Sequence, residues 1–134
     1  MSVFRLILRL LLAALFLIAG TYHLVDPQFF LPIMPPWIPF HLFCIELSGV
    51  FELLGGVGLL VPIRLVQAVT GIGLTLLLLA VFPANVYMAW AHIQIHGIPS
   101  HNWMAWARVP VQPLLMLAVL WVTDVWPRKP VRPV

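Results

Sequence analysis

Residues 40–90 read FHLFCIELSGVFELLGGVGLLVPIRLVQAVTGIGLTLLLLAVFPANVYMAW. Two apolar runs, 40–61 and 66–90, are each long enough to cross about 30 Å of hydrocarbon as a helix. The connection between them is Val61–Pro62–Ile63–Arg64. A link this short makes the two helices antiparallel neighbours. Further apolar runs lie on either side, at 4–22 and 106–126, so four spans occupy most of the 134 residues. The composition agrees: 63% of residues are hydrophobic, 8% are charged, and the mean hydropathy is +1.06. A chain of that kind cannot have water as its main solvent. The fold expected is all-α, an integral membrane antiparallel four-helix bundle forming a single domain over residues 1–134.

The basic residues set the orientation. Arg5, Arg9, Arg64, Arg128, Lys129 and Arg132 fall on one side of the expected bundle and Arg108 alone on the other. Short cytoplasmic loops hold the positive charge, so both termini are expected in the cytoplasm. Arg5 and Arg9 beside the first apolar run resemble the start of a signal peptide, but the run is longer than such a segment needs, which reads as a retained anchor. The net charge of +3 is dispersed over helix ends, which argues against nucleic acid as a partner and for membrane lipids. A single cysteine, Cys44, excludes an internal disulfide and a thiol-pair redox motif.

Polar residues inside apolar helices are costly, at least ~2.5 kcal/mol for an ionised side chain at the bilayer centre, so they mark the places to look for function. The second helix carries Glu46 and Glu52. At 100° per residue, His41, Ser48, Glu52, Gly55 and Gly56 share one side, whereas Glu46 points about 120° away from Glu52. Glu52 has two readings: a protonated carboxyl bonded across a glycine-lined helix contact, or a carboxyl that exchanges a proton or anchors a ligand. Asn85 follows Pro83, which frees the carbonyl of residue 79. On the fourth helix Arg108 and Gln112 lie one turn apart. Glu46, Asn85, Arg108 and Gln112 are expected at one level, with Arg108 holding Glu46 ionised. The alternative is that Arg108 reaches the headgroups.

His92, His96 and His101 have a spacing that can bind a metal once a third ligand arrives, but solvated interface histidines give the same pattern. A haem between His23 and His92 is geometrically conceivable. The connection at 23–39 holds five prolines among Phe29, Phe30, Ile33, Met34 and Trp37. Being too apolar for a solvated loop, it is expected to lie in the interface or fold back over the bundle mouth.

Five stretches then resemble the DoxX family of small bacterial four-helix membrane proteins. They are Gly20-Thr-Tyr-His23, Ser48-Gly-Val-Phe-Glu52-Leu-Leu-Gly-Gly56, Val81-Phe-Pro-Ala-Asn85-Val-Tyr-Met88, Arg108-Val-Pro-Val-Gln112 and Trp121. The resemblance implies a bacterial inner-membrane location and association with membrane oxidoreductase systems, including a subunit of thiosulfate:quinone oxidoreductase. Similar four-helix folds include eukaryotic proteins with sterol-like ligands in a bundle cavity, and others that assist receptor assembly. By that analogy Glu52, Asn85, Arg108 and Gln112 line a cavity. The expected function is an accessory subunit of an oxidoreductase system whose cavity accepts a quinone or related lipid, with no intrinsic cofactor and Glu52, Ser48, Glu46, Asn85, Arg108 and Gln112 as ligand-binding residues. The alternative is a membrane scaffold or assembly factor whose polar groups only lock the bundle. Whether it is an enzyme, and whether it assembles as a homo- or hetero-oligomer, stay open.

Overall fold

The computed structural model describes residues 2–91 and 102–127. These residues are helical, in the order α1 (Val3–Val25), a 3₁₀ segment (Pro27–Ile33), α2 (His41–Leu60), α3 (Arg64–Trp90) and α4 (Asn102–Val122). α1, α2 and α3 are long and apolar enough to cross a membrane, while the apolar stretch Trp106–Val122 of α4 is shorter.

Local chemistry explains most of the boundaries. Ser2 caps α1 by accepting a hydrogen bond from the Arg5 N–H at 3.2 Å. The helix stops at Asp26, and Pro27 opens the 3₁₀ segment at a position that needs no N–H. Pro62 holds Val61 extended and closes α2. The buried Gln67 side chain then turns back from α3. Its Nε2 donates to the carbonyls of Gly58, Leu59 and Val61 at 3.1, 3.0 and 2.5 Å, groups that a helix C-terminus otherwise leaves unbonded.

α4 departs from the expected 106–126 at both ends. It begins at Asn102 and stops at Val122, five residues before Pro127. Asp124 adopts a left-handed backbone with φ 59°, and the N–H groups of Val125 and Trp126 turn back onto the Leu120 carbonyl. The Asp124 carboxylate is held by Arg5 at 2.5 Å, and the same guanidinium nitrogen donates to the Trp121 carbonyl. Arg5 also lies over the Trp121 ring, 5.3 Å from its centre.

The helices pack as two antiparallel hairpins, α1–α2 and α3–α4. In the first, Gly20 and Gly49 bring the backbones together: a Cβ on Gly20 would lie 2.7 Å from the Gly49 carbonyl oxygen, and one on Gly49 would lie 2.8 Å from His23 Cβ. In the second, Gly71 faces Thr123 and Asn85 reaches Gln112. The hairpins meet where α1 begins and α4 finishes. There Gly55 faces Leu74, Gly58 faces Thr70, and Arg5 holds Asp124. A buried core of Leu12, Ala13, Phe16, Leu59, Leu74, Leu78, Val119 and Val122 fills this half. Toward the opposite end a cavity separates the hairpins.

Candidate ligand cavity between the hairpins

The cavity measures about 670 Å³ and draws its walls from all four helices and the connection after α1. Its lining is mainly apolar, with Phe16, Ile45, Phe51, Leu77 and Leu115 among the contributing side chains. That volume suits a small organic ligand and exceeds what a few waters occupy.

A histidine and a carboxylate sit on the α1–α2 side. The Gly20–Gly49 approach brings His23 onto α2, where its Nδ1 lies 3.0 Å from Glu52 Oε2 and 2.6 Å from the Ala19 carbonyl. The ring N–H is directed at the Ala19 oxygen. The Nδ1–H thus reaches the nearer Ala19 oxygen first and leaves Glu52 Oε2 at most a shared bond with His23, so the buried Oε2 has no donor of its own among the described residues. Glu52 keeps 12% of its side-chain surface, and the cavity is the space it borders. Ser48, one turn away, bonds its own helix through the Ile45 carbonyl at 2.9 Å.

Amides and a cation occupy the α3–α4 side. Asn85 Nδ2 donates to Gln112 Oε1 at 3.0 Å, and the buried Gln112 donates from Nε2 to the Leu78 carbonyl at 3.1 Å. Leu78 is next to residue 79, whose carbonyl Pro83 frees. A side chain from α4 thus serves the disturbed stretch of α3. Arg108 lies one turn from Gln112 and borders the cavity, with Nη1 3.7 Å from Sδ of the buried Met88.

The connection expected to fold back over the bundle mouth does so. Phe30 stacks on His23 with ring centres 4.0 Å apart and planes 7° from parallel, while Tyr22 and Phe29 meet it edge-on. Phe30, Met34 and Ile38 all line the cavity. His41 Nε2 lies 2.9 Å from the carbonyl of the fully buried Pro35, and Trp37 packs edge-on against Tyr87 of α3. The roof is therefore attached to α1, α2 and α3. Phe40, just before α2, has φ 55°, a backbone that an aromatic residue rarely adopts, at the point where the chain turns from roof to helix.

Of the six residues singled out from sequence, Ser48, Glu52, Asn85, Arg108 and Gln112 border this cavity. Glu46 does not. It is exposed on the outer side of α2 and forms no ion pair with Arg108, so the expected polar level loses its carboxylate. The physical reason is the angular offset from Glu52: a helix that turns one glutamate inward turns the other out. His92, His96 and His101 lie outside the described residues, as does the His92 end of the conceived haem site. Among the described residues, no group of three His, Cys, Asp or Glu side chains is placed to hold a metal.

Three contacts escaped the sequence reading: His23 beside Glu52, Arg5 with Asp124, and the Gln67 cap. The first had only a partial signal: if Gly20 and Gly49 mark the closest approach of antiparallel helices, residue 23 falls opposite residue 46 by depth, and only the face of α2 turned toward α1 selects Glu52. The other two join residues whose proximity depends on how the hairpins associate.

A family model described as a domain of unknown function, DUF8561, matches residues 12–123. No curated protein and no solved structure matches the chain.

Proposed function

The chain belongs to the DUF8561 family, and from its cavity we propose that it is a membrane protein binding an apolar small molecule of the quinone or related lipid kind. In this reading the four helices each cross the bilayer, with both termini in the cytoplasm of a bacterial inner membrane. Lengths support the crossings: the 21 residues of α4 extend about 30 Å at the usual helical rise, although its apolar part is the shortest. Outward-facing side chains support them too, since Phe4, Ile18, Leu54, Leu65, Leu76 and Leu114 are each 60–73% exposed and belong against lipid tails. The basic residues at the closed end support the orientation.

The observation that carries the ligand reading is Glu52 Oε2, buried at the wall of an apolar cavity, held beside His23 and lacking a donor of its own. A ligand hydroxyl, such as that of a reduced quinone, supplies one. His23 lies beside the carboxyl group, and the aromatic roof keeps bulk water away from the pair. A role as accessory subunit in an oxidoreductase system follows from the resemblance to DoxX proteins and is proposed on that ground.

The test is direct binding of decylubiquinol to the purified protein in a non-ionic detergent, for wild type and Glu52→Gln. The expected result is an affinity lower by about tenfold in the variant, the size of one hydrogen bond to a charged acceptor. Equal affinities would remove Glu52 from the site.

A further inference from the structure

Arg108 is the cation at this cavity without an anion. The sequence contains four acidic side chains, Asp26, Glu46, Glu52 and Asp124, and all four are among the described residues. Asp124 holds Arg5, and Glu52 sits beside His23. Asp26 and Glu46 are exposed, and neither forms an ion pair with Arg108. No side-chain carboxylate of this chain therefore neutralises it. Arg108 is exposed at the cavity mouth, and its Nη1 lies 3.7 Å from the sulfur of Met88, which is only 5% exposed. Thioether sulfur is a weak acceptor and leaves most of the five guanidinium N–H donors for another partner.

The neighbouring amides do not compete for that partner. Asn85 and Gln112 are engaged with each other and with Leu78. Among the described residues, the wall beside Arg108 is thus a fixed polar frame with guanidinium donors left over, an arrangement suited to a carboxylate or phosphate.

Register gives the distance to the other polar group. Gly55 faces Leu74 and Gly58 faces Thr70, so Glu52 is level with Leu77. Met88 and its contact Arg108 lie about three turns nearer the roof, roughly 15 Å along the bundle. Between them the walls are mainly apolar, with Ile45, Leu78, Val81 and Leu115 beside Ser48, Asn85 and Gln112, whose polar atoms bond within the bundle.

We propose that the ligand is an anionic amphiphile whose charged group pairs with Arg108 at the mouth, with its apolar body running down the cavity toward Glu52. This rests on the lipid-cavity reading above and adds a charge to the ligand. The anion comes as part of the amphiphile, since the lining below Arg108 is mostly apolar, its amides are already bonded, and it holds no second lysine or arginine for a free small anion.

Two probes of equal length separate charge from shape: 12-hydroxydodecanoate and its methyl ester, both ending in a hydroxyl that reaches Glu52. Binding is measured calorimetrically on the full chain in non-ionic detergent. The acid is expected to bind at least about tenfold more tightly than the ester, as one charge-assisted pair requires. Arg108→Gln should bring the acid down to the ester's affinity, Arg108→Lys should keep a preference for the acid, and inorganic phosphate should not compete. Equal binding of acid and ester to wild type would overturn the anion proposal and leave the lipid cavity standing. Binding of neither, together with none of decylubiquinol, would overturn both. Competition by inorganic phosphate as strong as by the acid would show an anion site that makes no use of the cavity. An acid preference that survives in Arg108→Gln would remove Arg108 from the role.

Discussion

The two ends of this bundle use their polar groups differently. At the closed end Arg5 binds Asp124 and the Trp121 carbonyl, and Gln67 caps α2, so these side chains are spent on the protein itself. At the roofed end Glu52 Oε2 has no donor of its own and Arg108 has no acid, although both border the same cavity. The difference follows from packing. Where the hairpins touch, Arg5 and Gln67 direct most of their bonds into the protein, although Arg5 Nε and Gln67 Oε1 are buried there without a partner; where they part, each hairpin orders its own polar groups and leaves Glu52 and Arg108 directed at the space between. The first arrangement stabilises the bundle, and the second is the one the proposed ligand would complete.

Substitutions at the two ends should therefore separate stability from binding. The largest effect is expected from Gly49→Leu, which breaks the comparison because Gly49 serves both ends. Its side chain would collide with His23 and force α1 from α2, costing about 3 kcal/mol by overpacking. The thermal midpoint in detergent and decylubiquinol binding should fall together; retained binding would show that the site does not need the His23–Glu52 pair.

Arg5→Leu should cost about 2 kcal/mol, less than a fully buried pair, because Asp124 keeps 51% of its side-chain surface and can be solvated. Ligand affinity should not change, and a loss in affinity would mean that the closed end sets the width of the cavity. Gln67→Leu is expected to cost about 1 kcal/mol through the lost carbonyl contacts, again visible in thermal unfolding but not in binding. The smallest effect belongs to Ser48→Ala, within about 0.5 kcal/mol of wild type, since its hydroxyl bonds only its own helix. A binding loss above threefold there would show that Ser48 rotates toward the ligand.

Much of this arrangement could be read one helix at a time. The 61–64 link made α2 and α3 neighbours, and the apolar content of residues 23–39 placed that connection over the mouth. The 100° periodicity already put Ser48 and Glu52 on one face and Glu46 on another, yet matching depth along the bundle suggested that Glu46 and Arg108 would meet. Angle decided the matter against depth. Asp124 illustrates the opposite case: nothing in its local sequence marks it as the partner of a residue near the start of the chain.

By itself, the sequence determined that the chain forms long apolar helices, which of them are adjacent, and which faces carry the polar residues, because these follow from periodicity, link length and the avoidance of water by apolar side chains. Only the tertiary structure decided that the hairpins close at one end and part at the other. It also decided that His23 comes to Glu52 and that Arg108 is left without a carboxylate. Those outcomes depend on how closely glycine faces let backbones approach and on which side chains fill the space between two hairpins, and neither is encoded in any one helix.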